Sequence, residues 1–157
     1  MVRSLVNSDH DAEELTQETW IKIYDNLGRF RGQSSFRTWA FTIAKNTVRD
    51  YIRKKMRRKG IFTRLISSED NDYEGSREMA VDAATPRMAT EASERHERFN
   101  AALARLPMKQ RLAFTLRERE GLAYKEIAEI MKCKEGTVMS RLHQARQTLA
   151  AWLKDDL

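Results

Sequence analysis

The chain has one cysteine, two prolines and six glycines in 157 residues. A single thiol, Cys133, excludes a framework of internal disulfides and fits a reducing compartment. Scarce glycine and proline leave few breaks, and no run of Val, Ile or Thr alternates cleanly, so helices are the expectation throughout. No stretch approaches the roughly 20 apolar residues of a membrane span, and "MVRSLVNSDHDAEEL" lacks the apolar core of a signal peptide. Membrane insertion and export are therefore not expected, and a cytoplasmic location is. There is no phosphate-cradling glycine loop, and no Asp or Glu stands with a His or Ser in a catalytic arrangement, so no enzyme is expected. His10, His96, His143 and Cys133 match no zinc-binding spacing; neither a metal nor another cofactor is expected.

What is present is helix-forming and charged. The composition is 41% hydrophobic and 33% charged, ordinary for a soluble globular protein. The formal charge of +6 and the pI of about 9.6 suit an anionic partner. From Arg49 to Arg64 the residues Arg49, Arg53, Lys54, Lys55, Arg57, Arg58, Lys59 and Arg64 are opposed only by Asp50. From Ser67 to Glu94 the balance turns acidic amid Ser, Thr, Ala, Gly and Pro86, with too little apolar material to fold alone. The expected architecture is all-α: two small helical domains, about 1–60 and 95–157, joined by a flexible acidic linker over 61–94.

In the C-terminal part, Phe99, Leu103 and Leu106 fall at helical spacing, Pro107 opens a second helix carrying Leu112 and Leu116, and Gly121 ends it. A third short helix buries Ile127, Ala128 and Met131. After the break "KCK" comes "EGTVMSRLHQARQTL", whose core stripe is Val138, Leu142, Ala145, Leu149 and Trp152. Its other side offers Gly136, Ser140, His143 and Gln147, with Thr137, Met139 and Gln144 beside them and Arg141 and Arg146 at the edges. Two helices joined by a tight turn, the second longer and polar outward, form the helix-turn-helix pattern. Gly136 and Thr137 allow close approach to a major groove, and Ser140, His143 and Gln144 are natural base readers. Met139 suits a thymine methyl, and Arg141 and Arg146 suit phosphate.

The N-terminal part has unusual faces too. "DAEELTQETWIKIYDNL" buries Ala12, Leu15, Thr19, Ile23 and Leu27, while Ile21 stands outward among Glu13, Glu14, Gln17 and Glu18. Such an acidic face is a poor surface for DNA and a reasonable one for protein docking. The loop "GRFRGQS" precedes a long helix whose expected buried stripe is Phe36, Trp39, Ala40, Ile43, Thr47 and Tyr51. The opposite polar stripe is Thr38, Thr42, Lys45, Asn46, Arg49 and Arg53. Trp20, Trp39 and Trp152 fit core positions. Within "RGQSS", Gly32 permits close backbone approach, and Gln33, Ser34 and Ser35 can bond the edge of an unstacked base.

Taken in order, "DAEELTQETW", "FRGQSSFRTWAFTIAKNTVRDYIRKKMRR" and "LPMKQRLAFTLREREGLAYKEIAEIMKCKEGTVMSRLHQARQTL" resemble sigma regions two and four of the bacterial extracytoplasmic-function sigma factors. The resemblance implies binding to core RNA polymerase, recognition of promoter DNA and initiation of transcription, with an anti-sigma factor as a candidate further partner. It places Asp11, Glu14, Gln17 and Glu18 against the polymerase's clamp helices. Arg31, Gly32, Gln33, Ser34 and Ser35 fall in the loop that captures an unstacked −10 base, with Trp39 beside it and Asn46, Arg49 and Arg53 on the helix facing that element. Thr137, Met139, Ser140, Arg141, His143, Gln144 and Arg146 fall on the helix that reads the −35 element, and the acidic linker falls where the family threads the polymerase. Relatives usually carry a further region-two helix before "DAEEL", so the first helix of that bundle is expected to be missing. Lys132 and Lys134 stand where Gly and Pro are frequent, so Lys132 is expected in the left-handed conformation. A helix-turn-helix regulator acting on an operator without serving as a sigma subunit is the alternative; it calls for a ligand pocket or a dimer seam, and the sequence shows neither. A resolvase-like enzyme would need a nucleophilic Ser or Tyr with an Arg cluster, which is also absent.

Overall fold

The structure, a computed structural model, describes residues 1–58 and 91–154. All regular elements among the described residues are helical. A short 3-10 turn, Val2–Ser4, precedes α1 (Asp9–Asn26), a second turn (Leu27–Arg29) and α2 (Phe36–Arg58). Then come α3 (Glu91–Arg105), α4 (Met108–Phe114) with a π-helical turn Thr115–Arg119, α5 (Tyr124–Met131) and α6 (Glu135–Lys154). Most of the expected linker, 61–94, lies outside the described residues, and α3 starts at Glu91.

α1 begins where Ser8 supplies a cap: its Oγ accepts from the Asp11 amide at 3.2 Å, and Asp9 and Asp11 occupy the positive end of the helix dipole. Ala12, Leu15, Thr19 and Ile23 are buried against α2, as their spacing predicts. Leu27, expected on the same stripe, falls past the end of α1 in the 3-10 turn and is 49% exposed. Trp20 is not a core residue either: it lies on the outer side of α1, 63% exposed.

Ser35 caps α2, its Oγ accepting from the Thr38 amide at 3.0 Å. The buried residues of this helix are Thr38, Ala44, Thr47 and Val48, so of the expected stripe only Thr47 is buried. Phe36 is 45% exposed, and Trp39, Ala40, Ile43 and Tyr51 are half-buried. The reason is that α2 is covered from two directions, by α1 on one side and by α5 on another, so no single apolar stripe describes it.

α3 to α6 close around Leu103, Leu106, Leu112, Leu116, Leu122, Ile127, Ile130, Val138, Leu142, Ala145 and Leu149. Gly121, at φ +67°, turns the chain out of the π-helical segment into α5. Between α5 and α6 Lys132 takes the left-handed conformation, φ 51°, as expected where a glycine is commoner. The two helical groups also pack on each other: Val2, Leu5, Val6, Ala44 and Val48 join the C-terminal residues in one continuous core. Arg111, 7% exposed, ties them further, donating to the carbonyls of Ala104 at 2.9 Å and Leu5 at 3.2 Å and to Asn7 Oδ1 at 3.4 Å.

Candidate nucleic-acid and polymerase interfaces

α6 lies across α4 and α5 with Val138, Leu142, Ala145 and Leu149 inward, which leaves its other face to solvent. Met139 is 55% exposed, Ser140, His143 and Gln144 are exposed, and Thr137 is half-buried at the helix start. These five therefore share one outer region of the helix, as the sequence predicts. Its two cations are less free than expected. Arg141 is half-buried, with Nη1 3.6 Å from the Cys133 sulfur. Arg146 Nη2 pairs with Glu118 Oε1 at 2.5 Å, and this hydrogen bond holds the guanidinium pKa above its usual value. Gln144 is also engaged, its Oε1 accepting from Gln110 Nε2 at 3.2 Å, and Ser140 Oγ donates to the Thr137 carbonyl at 3.0 Å.

In the N-terminal group the loop before α2 presents Arg31, Gly32 and Gln33 to solvent, with Gly32 at φ +67° and open space around it. Ser34 is half-buried, and the Ser35 hydroxyl is committed to the cap of α2 and to Thr38 Oγ1, to which it donates at 2.8 Å. Phe30, Phe36 and Trp39 form an aromatic cluster flanking this loop, with centroids 5.2 to 5.7 Å apart. Trp39 thus adjoins the loop, as expected. Arg49 and Arg53 are exposed and Asn46 is half-buried along α2; Arg49 lies 3.4 Å from Asp50.

On α1, Glu14, Gln17 and Glu18 face solvent, Glu14 beside His10 and Glu18 paired with Lys22 at 2.7 Å. Asp11 is different. Its carboxylate accepts from the Tyr51 hydroxyl and from Lys55 Nζ at 3.2 Å, and the Tyr51 bond first of all holds its pKa below the ordinary carboxylate value. Ile21 stands outward as the sequence predicts, but the sequence reading missed the aromatic residues beside it: Trp20 and Tyr24 are strongly exposed as well. Their signal was legible, since Trp20 and Tyr24 are four residues apart and off the Ala12–Leu15–Thr19–Ile23 stripe. Among the described residues no three His, Cys, Asp or Glu side chains gather into a group that could hold a metal, and no helix is long and apolar enough to cross a membrane.

A helix-turn-helix unit with a solvent-facing side of α6, joined in one chain to a helical pair bearing a basic α2, is the arrangement of a nucleic-acid-binding protein, and comparison with known families identifies it as a sigma-type transcription protein. Residues 1–58 match sigma-70 region 2 and residues 96–149 match sigma-70 region 4. The chain is 34% identical over 149 residues to the RNA polymerase sigma-H factor of Pseudomonas aeruginosa, covering 95% of this chain and 76% of that protein. It is 38% identical over 142 residues to the ECF RNA polymerase sigma-E factor of Haemophilus influenzae, covering 90% and 74% respectively. The solved sigma factor RpoE in complex with the anti-sigma factor NepR, from Bartonella quintana, aligns with a TM-score of 0.73 at 28% identity over 98% of this chain and 88% of its own. CnrH, solved in complex with the cytosolic domain of CnrY, shares the fold at a TM-score of 0.67 and 21% identity, over 99% of this chain and 79% of its own. The chain belongs to the extracytoplasmic-function sigma factors and is an RNA polymerase sigma factor.

Proposed function

We propose that this sigma factor divides its work among three surfaces. α6 reads the −35 element in the major groove through Thr137, Met139, Ser140, His143 and Gln144, with Arg141 and Arg146 toward phosphates. The observation that carries this is the solvent-facing, mostly uncharged side of α6, presented by a helix whose opposite face is fully packed. The loop Arg31 to Ser35, with Trp39 behind it and Asn46, Arg49 and Arg53 alongside, captures and holds the melted −10 strand. Glu14, Gln17 and Glu18, extended by the exposed Trp20, Ile21 and Tyr24, dock on core RNA polymerase; Asp11 supports that surface from beneath. Residues 61–94 connect the two regions along the polymerase. The protein acts in the cytoplasm as a binding subunit, without metal, cofactor or bond-making chemistry of its own. An anti-sigma factor is a further partner, supported by the solved sigma factor RpoE, which was found in complex with the anti-sigma factor NepR.

Run-off transcription by core polymerase on a promoter library, with and without this chain, tests the reading: initiation confined to promoters of a common −35 and −10 pattern is expected. Glu18→Lys should weaken core binding about tenfold, the loss of about 1.4 kcal/mol of interface energy, while −35 duplex binding stays unchanged. Unaltered core affinity in this variant would remove α1 from the docking surface.

A further inference from the structure

Two outward side chains of α6 are held by the segment packed against it. Arg146 is paired with Glu118 of the π-helical turn, and two residues earlier Gln144 Oε1 accepts a hydrogen bond from Gln110 Nε2 at 3.2 Å. Gln110 belongs to α4, whose next four residues, Arg111, Leu112, Ala113 and Phe114, are all buried, so the backbone that carries it is fixed. Gln110 itself is half-buried, whereas Gln144 is exposed. The anchored amide therefore sets the orientation of the free one.

A glutamine amide has one donor end and one acceptor end. With Oε1 turned toward α4, the N–H bonds of Gln144 Nε2 are what this side chain has left to offer a base. The reverse orientation would set one NH2 group against another, two donors with no acceptor between them. In solvent that costs little, because water answers what the protein does not. Against DNA the water is displaced, and the mismatched pair would stay unanswered. The bases differ in the major groove in this very respect. Guanine shows two acceptors, N7 and O6, and cytosine shows a donor, N4, while adenine pairs fully with a glutamine only by donating its N6–H to the side-chain oxygen. An unsupported glutamine on a reading helix takes adenine first; one whose oxygen is already engaged does not.

We propose that Gln110 is a positioning residue for promoter recognition: it holds the Gln144 amide with its N–H bonds outward, and so makes guanine the base that Gln144 selects in the −35 element. This role rests on the reading of α6 as the −35 helix. Gln110 acts through Gln144 and contacts no base itself. The choice between guanine and adenine is thus set from α4, one helix away from the groove.

The test uses the full chain with core RNA polymerase, the run-off transcripts being sequenced from a promoter library randomised through the −35 element. Gln144→Ala locates the base pair that this side chain reads. There the parent is expected to favour guanine over adenine about five- to tenfold, the discrimination carried by one hydrogen bond, and Gln144→Ala to lose that preference. Gln110→Lys, which can only donate, should keep guanine. Gln110→Glu, which can only accept, should turn Gln144 Oε1 outward and move the preference to a base that shows a donor, adenine or cytosine. Its added negative charge lowers output on all promoters alike, so the readout is the ratio between bases and not the yield. Unchanged helicity by circular dichroism shows that each variant folds. A parent that prefers adenine at this pair, guanine retained in Gln110→Glu, or guanine lost in Gln110→Lys would each overturn the positioning role while leaving Gln144 a reader. Base preferences in Gln144→Ala identical to the parent's throughout the element would instead remove Gln144 from the reading face, and the role of Gln110 with it.

Discussion

Asp11 stands in the first turn of α1, and its carboxylate is turned across to α2, where Tyr51 and Lys55 donate to it. Sequence could place this residue on the acidic side of an amphipathic helix but could not show that its partners lie forty and forty-four positions further on. The three groups shift one another in consistent directions. The Tyr51 bond lowers the Asp11 pKa, burial and then Asp11 raise that of Tyr51, and the Tyr51 bond raises that of Lys55. At neutral pH the phenol is thus a neutral donor and the carboxylate a full acceptor. A carboxyl whose pKa is depressed on folding stabilises the native state above its ordinary value of 3.8, and that contribution is lost as pH falls through the lower folded value. Asp11→Asn should therefore cost about 1 to 2 kcal/mol at pH 7, discounted for partial exposure. Its stability deficit should shrink toward zero as acid protonates Asp11 in the parent, as urea titrations of both proteins across that range would show. A deficit constant with pH would mean that the carboxylate's charge is not what joins α1 to α2.

At the scale of elements, legibility followed how many faces a helix buries. α1 and α6 each bury one, and their stripes, Ala12–Leu15–Thr19–Ile23 and Val138–Leu142–Ala145–Leu149, stand where the periodicity put them, whereas the last residue expected on each stripe, Leu27 and Trp152, is exposed and half-buried respectively. α2 is covered twice, so a polar residue such as Thr38 is interior and an aromatic such as Phe36 is not, which inverts the usual reading of a stripe. The left-handed Lys132 was legible because a turn of that length between two helices requires such a residue whichever side chain occupies it. Relief of its strain makes Lys132→Gly stabilising by about 0.5 to 1 kcal/mol, measurable as a higher thermal midpoint with −35 affinity per folded molecule little altered. What the sequence of α6 could not disclose was that Arg146 is already paired, since Glu118 belongs to the turn after α4. This pairing leaves α6 with less unpaired positive charge than its composition suggests. Glu118→Gln should free the guanidinium, strengthen −35 duplex binding and steepen its log–log salt dependence by about 1, the increment of one phosphate contact. A slope that stays the same would show that Arg146 braces α6 against α4 and does not reach DNA.

For the molecule as a whole, the outline of two helical regions was readable from charge blocks and periodicity, but their packing was not, because its apolar part, Val2, Leu5, Val6, Ala44 and Val48, lies off the stripes that periodicity picked out, and the rest of the seam is threonine, lysine and backbone carbonyls. The continuous core changes the expected thermodynamics. Val48 of α2 and Leu5 of the N-terminal segment are as fully buried as Leu106 and Ile127 of the C-terminal group, and all lie in one cluster. Arg111 crosses the same boundary, buried with no carboxylate among the described residues to answer it, and burial lowers its pKa to about 10, so it remains a cation at neutral pH. Removal of its side chain leaves the Leu5 and Ala104 carbonyls short of their donors. Two regions that share a core and a buried guanidinium unfold together, whereas two independent units on a tether would melt at separate midpoints. Urea unfolding followed by helicity and by tryptophan fluorescence should give coincident single transitions, and Arg111→Ala should move that one transition down by about 2 to 4 kcal/mol without splitting it. Trp39 in the N-terminal group and Trp152 on α6 report on opposite sides of the boundary. Probes that separate into two midpoints in the parent protein would show that each region folds by itself and that the shared core is only a surface contact.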